Sequence, residues 1–351
     1  MRIGVFLPNW VGDVIMATPA LRSLRKLAGP EGQLVGIMRP YVSDVLAGAP
    51  WLDEKIVYQK PQRWLGVPNR KIIGDLQAAK LDVVVLLTNS LRTAWMAWRS
   101  GARQRIGYRN DARSLLLTEA VRRPMTAQGL PLPTLESYLH LAAFAGCSPE
   151  ASTMELATDQ RDEQAADEIW DRLGLPSSDR VIVLNSGGAF GVAKLWPAEY
   201  FAELASRIVS DGRHSVLVNC GPSERDTARV IAKRANDPRV VSLADFDDLP
   251  VGLTKACIRR SRLLVTTDSG PRYIGIAFGR PVVTLFGPTD PRLTELRYQR
   301  EKSLSVGLDC QPCMERICPL KHHRCMRDLS VNQVYAAVQD TLNEMASEFA
   351  A

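Results

Sequence analysis

Short apolar runs alternate with amphipathic stretches along this chain, and the hydrophobic period switches between the two repeatedly, as it does in α/β proteins. Residues 2–7 read as a buried strand and 8–13 (Pro-Asn-Trp-Val-Gly-Asp) as a turn. Val14, Leu21, Leu24 and Leu27 then form the apolar stripe of a helix. Runs at 33–38 and 81–87 add strands, the second apolar enough for a parallel strand covered on both faces. A polar, acidic helix over 160–173 follows, closed by Gly174 and Pro176.

From Val181 the pattern restarts. Strands are expected at 181–184, 215–219, 240–243, 263–267 and 282–286. Helices are expected from Pro197, after Gly221, over 249–260 and from Pro271, with a last amphipathic helix at 331–349. Such alternation implies parallel sheets with right-handed crossovers. The expected division is a first domain at 1–175, a second at 176–330 and a terminal helix at 331–351 that packs back across the junction. Ligands of such sheets bind at the carboxyl ends of the strands.

With 351 residues, 46% hydrophobic and 23% charged, the chain has the composition of two folded soluble domains, which excludes disordered and fibrous classes. No apolar run approaches the ~18 residues of a membrane span, so the expected location is cytoplasmic. The net charge of +6 is concentrated: residues 92–123 hold eight arginines against Asp111 and Glu119. Trp95, Trp98 and Tyr108 lie among them, so the stretch is either a solvated face or the binding surface for an anionic acceptor or membrane. Residues 60–71, with Trp64 and Leu65 among basic positions and Pro/Gly breakers, suggest a lid over the same partner.

Two loops have the chemistry of phosphate binding. Asn185-Ser186-Gly187-Gly188-Ala189-Phe190-Gly191 joins a strand to a helix and is mostly free of bulk, with Lys194 just beyond. Asp268-Ser269-Gly270-Pro271 presents the Ser269 and Gly270 amides at a helix start, with Asp268 as a helix cap in the alternative reading. Together on one sheet edge they describe a pyrophosphate site. Asp13, at another helix start, is either a cap or a carboxylate facing a ligand. Four histidines leave few members for a Ser-His-Asp mechanism. Cys310, Cys313, Cys318 and Cys325 crowd into 16 residues, a spacing that admits a structural zinc site or four reduced thiols.

These residues resemble the ADP-heptose:lipopolysaccharide heptosyltransferases, most closely the heptosyltransferase II branch. The likeness rests on the 8–13 loop, the Gly188–Pro197 stretch, Thr267-Asp268-Ser269-Gly270 with Phe286-Gly287-Pro288-Thr289-Asp290, and on Asn89-Ser90 and Arg105-Ile106-Gly107-Tyr108. It runs over residues 1–335 in order. The resemblance implies a GT-B fold, α/β, with two Rossmann-like domains whose parallel sheets face across a cleft. It implies inverting transfer of L-glycero-D-manno-heptose from ADP-heptose to the lipopolysaccharide inner core, with no cofactor and no catalytic metal. Asp13 is then the general base and Lys194 neutralises the leaving diphosphate. Ser186, Gly187, Gly188, Glu224, Asp268, Ser269, Gly270 and Tyr273 line the donor site, and Asn9, Trp10, Asn89, Arg92, Arg105 and Arg109 the acceptor site. The implied partners are a nucleotide sugar and an anionic lipid at the inner membrane surface, with no nucleic acid. The alternative is a GT-B transferase for another nucleotide sugar or acceptor. One departure stands out: where the family commonly has histidine, three residues after Gly270, this chain has Tyr273, preceded by Arg272.

Overall fold

The computed structural model describes residues 1–59, 70–188 and 190–350. The lid expected at 60–71 falls almost wholly on residues 60–69, outside the described residues. The chain divides into two compact units, Met1–Ala157 and Thr158–Ala351.

In the first unit β1 (Arg2–Phe6), α1 (Val11–Met16), α2 (Thr18–Ala28), β2 (Gln33–Met38), α3 (Pro40–Val45) and β3 (Glu54–Val57) are followed by α4 (Arg70–Ala78), β4 (Val83–Leu86) and α5 (Leu91–Arg99). β5 (Gln104–Tyr108), β6 (Glu119–Val121) and α6 (Thr134–Phe144) complete it. The six strands form a parallel sheet ordered β3-β2-β1-β4-β5-β6. β4 is buried at every position, which explains its unbroken apolar sequence. Side chains from β1, β2 and β4 and from α4 and α5 share one core, including Phe6, Val35, Leu76, Leu86 and Met96.

The second unit comprises α7 (Gln160–Leu173), β7 (Val181–Asn185), α8 (Ala198–Val209), β8 (Ser215–Asn219), α9 (Arg225–Ala235), β9 (Val240–Ser242) and α10 (Val251–Arg260). It continues with β10 (Leu263–Thr267), α11 (Gly270–Ala277), β11 (Val282–Leu285), β12 (Glu301–Leu304), α12 (Arg324–Arg327) and α13 (Val331–Ala350). Its parallel sheet runs β12-β11-β10-β7-β8-β9, the same winding as the first when counted from each unit's own first strand. In both, the order reverses beside the first strand, and that switch point is where a doubly wound sheet opens a crevice for ligand.

The expected junction after residue 175 differs from the observed one. α7 is fixed at its start by a reciprocal Asp159–Asp162 capping box and at its end by Gly174 in the left-handed conformation. Its acidic face belongs to the second unit: Glu163 pairs with Arg259 and Arg260 of α10, and Asp162 with the fully buried Lys255. The acidic helix that the expected division left in the first domain is a docking face of the second. α13 packs on α8, β11 and β12 of that same unit, with Lys302 bridged to Glu344 at 2.8 Å. The single helix expected after Asp13 is two helices, because Thr18-Pro19 opens a new first turn. β3, β5, β6 and β12 were not anticipated; β3, β6 and β12 lie next to or at sheet edges, are short, and expose most of their side chains at least in part. Among the described residues no helix is long and apolar enough to cross a membrane.

Candidate functional site

In the second unit the switch point lies between β7 and β10, with Asn185 paired beside Thr266. The two glycine-containing loops therefore leave adjacent strands. Two buried asparagines set the first: Asn219 Nδ2 donates to Asn185 Oδ1 at 2.8 Å, and Asn185 Nδ2 donates to the Gly187 carbonyl at 3.0 Å. The Glu224 carboxyl lies over Gly187; a Cβ there would sit 2.1 Å from Glu224 Cδ and would have to displace it. Glu224 in turn accepts the Gly221 N–H at 2.7 Å. Gly191, at φ +151°, passes the Arg316 backbone too closely for any side chain. At the ends of the same two strands, Ser186 Oγ and Thr267 Oγ1 are buried with no hydrogen-bond partner, an arrangement that a ligand's acceptor oxygens satisfy.

Beneath these loops runs a buried ionic network. Lys194 Nζ donates to the Asp268 carbonyl at 2.6 Å and to Asp268 Oδ2 at 2.9 Å, and lies 4.5 Å from the Phe190 ring centre. Asp268 also accepts from Thr289 at 2.7 Å, and from Arg272 and Tyr273 at 3.3 Å each. Arg272 forks onto Glu301 at 2.6 and 3.0 Å. Burial alone would raise the Asp268 carboxyl, but the Lys194 and Arg272 charges outweigh it and hold the group below the usual carboxylate range. This corrects the alternative reading of Asp268. The residue capping α11 is Ser269, with no side-chain cap bond, so Asp268 is no helix cap. Lys194 shares its charge with Asp268. Tyr273 and Arg272 likewise turn into the network.

A cavity of about 560 Å³ opens beside the loops, and its wall includes Ser186, Gly187, Gly188 and Glu224. Asp268 and Ser269 after β10, Gly270 and Tyr273 in α11, and Lys194 in the stretch after β7 are not in that wall. Sequence reading missed Thr227, His323 and Arg327, which do line it, because they come from distant segments with no motif of their own. It also missed Glu301, on an edge strand whose pattern is too short to read.

In the first unit the switch point lies between β1 and β4. After β1, Asn9 and Trp10 are exposed, with the Asn9 carbonyl accepting from the Tyr41 hydroxyl. Asp13 is half-buried at the third position of α1, whose cap is Trp10, with no side-chain cap bond. After β4, Asn89 is exposed and Arg92 half-buried. Arg109 is exposed. Arg105 is spent on structure: its guanidinium donates to the Leu116 and Ala102 carbonyls at 2.8 and 2.7 Å, so it is no open acceptor ligand. Arg113 was not singled out, yet it is 1% exposed. Its Nη1 donates to the Thr88 carbonyl at 2.7 Å and to Asn89 Oδ1 at 3.3 Å. Burial pushes its guanidinium down to about 10.

All seven cysteines are free. Backbone N–H groups, that of His323 foremost, hold the Cys318 thiol below its ordinary value. Burial, followed by the nearby Cys313, Cys318 and Cys310, pushes Cys325 up to about 11. Among the described residues no group of three or more His, Cys, Asp or Glu side chains is already arranged to hold a metal ion.

The family model described as glycosyltransferase family 9 (heptosyltransferase) matches residues 69–324. Lipopolysaccharide heptosyltransferase 2 of Escherichia coli is 26% identical over 300 residues, 84% of this chain and 85% of that protein. The solved E. coli ADP-heptose LPS heptosyltransferase II superposes with a TM-score of 0.80 at 23% identity, over 99% of this chain and 100% of the other. A glycosyl transferase family 9 structure from Veillonella parvula gives 0.84 at 25% identity, covering 98% and 97%. The α/β architecture of two Rossmann-like sheets is thus that of the GT-B heptosyltransferases.

Proposed function

Since this chain belongs to glycosyltransferase family 9, the heptosyltransferases, we propose that it moves heptose from ADP-L-glycero-D-manno-heptose to the inner core of lipopolysaccharide, with inversion and without a catalytic metal. The observation that carries the donor half is the β7/β10 edge, where buried Ser186 and Thr267 hydroxyls without partners stand beside glycine loops, an open cavity and a buried lysine. The names of the relatives carry the choice of heptose and of the lipid acceptor.

Asp13 takes the proton of the acceptor hydroxyl as its oxygen attacks the anomeric carbon. The bond from that carbon to the phosphate oxygen breaks, and ADP leaves unprotonated. An ammonium has three N–H donors; two of those of Lys194 are engaged by Asp268, and the third serves a phosphate oxygen. Pairing with Lys194 and Arg272 also quenches the Asp268 charge, which would otherwise repel the diphosphate. The Ser269 and Gly270 amides at the start of α11 and the Ser186 hydroxyl share the developing charge. Glu224 reaches the donor ribose. On the acceptor side Asn9, Trp10, Asn89, Arg92 and Arg109 meet an anionic inner core, and the exposed arginines hold the enzyme at the cytoplasmic face of the inner membrane.

The test is transfer from ADP-heptose to an inner-core acceptor in EDTA, with the product's anomeric configuration read by NMR. Turnover that persists, with configuration opposite to the donor's, supports the reading. Loss restored by Mg²⁺ or Mn²⁺, or retained configuration, overturns it.

A further inference from the structure

Residues 305–323, between β12 and α12, contain no helix or strand, yet they are tied to the donor loops. The Arg316 carbonyl accepts the Ala193 N–H at 3.1 Å, Met314 N–H donates to the Pro288 carbonyl at 2.8 Å, and Gln311 Nε2 donates to the Gly287 carbonyl at 2.6 Å. A structureless segment of that length inside a compact unit needs its own source of order. Its larger apolar side chains do not supply it, because Met314, Ile317 and Leu320 are exposed.

What the region does gather is sulfur. Cys310, Cys313, Cys318 and Cys325 line one cavity of about 20 Å³, room for a single small ion or water. Met314, Lys321 and His323 adopt φ of +58°, +58° and +53°, a conformation non-glycine residues take up only when surroundings enforce it. Residues 305–328 hold Arg316, Lys321, Arg324 and Arg327 against Asp309, Glu315 and Asp328. His322 lines the same cavity, but its Nδ1 accepts the Arg324 N–H at 3.0 Å, leaving the four thiols as the donor set.

We propose that Cys310, Cys313, Cys318 and Cys325 bind one thiophilic divalent cation, Zn²⁺ or Fe²⁺, as a structural clamp that fixes the 305–323 segment against the donor loop. As placed, no three of these donors converge enough to hold an ion, so the site closes on the metal: each thiol releases its proton to solvent and turns its sulfur into the shared cavity. The clamp presents the Arg316 carbonyl to Ala193, next to Lys194, and His323 into the donor cavity. The ion touches no substrate, so this claim is compatible with transfer in EDTA when the site is closed. The effect on donor binding rests on the nucleotide-sugar reading; the metal site itself does not.

The full-length protein, purified reduced from medium containing both zinc and iron, is analysed for metal, and a reduced metal-free sample is titrated with Zn²⁺ and separately Fe²⁺ against a chromogenic chelator. About one equivalent per chain is expected, the better-bound ion being identified by the two arms, with the four cysteines protected from alkylation when it is present. Cys313→Ser/Cys318→Ser should drop bound metal to near zero and weaken ADP several-fold. Absence of metal in the purified protein together with no uptake of either ion overturns the proposal, as does alkylation of all four thiols at one rate with and without metal. Metal bound at about one equivalent but ADP affinity unchanged in the double variant removes the coupling to the donor loop and leaves the site standing.

Discussion

In the second unit Asp268 meets Lys194, Arg272, Tyr273 and Thr289 within 3.3 Å. In the first, Arg113 is as deeply buried, yet its Nε and Nη2 have no partner. The exposed arginines around it rest on aromatic rings or face solvent: Arg99 lies over Trp95 and Arg123 over Tyr108. One unit has its charges answered internally and is pre-organised for a small rigid ligand; the other leaves positive charge for something outside the chain to answer. That contrast fits a nucleotide donor on one side and an anionic, flexible lipid on the other.

The largest effect expected is in the first unit. Asp13→Asn should lower kcat about 10²- to 10⁴-fold by removing a proton acceptor, while ADP affinity and Tm stay near wild type, since Asp13 is not the cap of α1. Near-wild-type turnover would leave the mechanism without its base.

Next in size is a paired test of the contrast itself. Asp268→Ala strands the buried Lys194 and should cost about 3–5 kcal/mol in denaturant unfolding. Arg113→Met removes a buried charge for which the described residues supply no counter-ion, and its effect should stay within about 1 kcal/mol, of either sign. Equal losses would erase the distinction between the units.

Acid sharpens the picture of the second unit further. Burial would raise the Glu163 carboxyl, but hydrogen bonds from Arg259, Thr158 and Arg260 override it and bring it to about 2, against an ordinary 4.5. A depressed carboxylate contributes stability that is present above its unfolded pKa and lost as pH falls through the folded one. Wild type should therefore lose about 1–3 kcal/mol from this group between pH 4.5 and 2. Glu163→Gln should flatten that part of the curve, measured by urea unfolding across pH. An unchanged slope would remove Glu163 as the tie between α7 and α10.

The smallest effect belongs to the exposed arginines. Replacing Arg99, Arg103 and Arg109 with serine should raise the acceptor KM by about tenfold or less, more at low salt, and leave ADP affinity alone. Weaker ADP binding would reverse the roles given to the two units.

Much of this was legible in the sequence because the central strands are buried on both faces and need continuous apolar residues; β2, β8 and β10 match their expected bounds. α7 was equally plain, since Gly174 and Pro176 are local stop signals. Edge strands such as β12 carry no such constraint, and Glu301 was hidden there. The phosphate loops were visible as glycine and helix-start patterns, whereas the pairing of Lys194 with Asp268 joins residues 74 positions apart and depends on the adjacency of β7 and β10. Arg113 was lost among eight arginines, because burial, not residue type, sets it apart. Arg105 was read as a ligand for the same reason: nothing in its neighbours announced that two backbone carbonyls would claim it.

The claim on which the account turns is that the loops after β7 and β10 hold the diphosphate of an adenine nucleotide. Calorimetric titration of the wild-type protein and of Lys194→Ala with ADP, UDP, GDP and NAD⁺ tests it most directly. The account predicts selective binding of ADP, with weaker binding when Lys194 is removed, because its charge is felt by the bound diphosphate before the bond breaks. Preference for UDP or GDP would contradict the ADP-heptose donor, and ADP binding unaffected by Lys194→Ala would contradict the site.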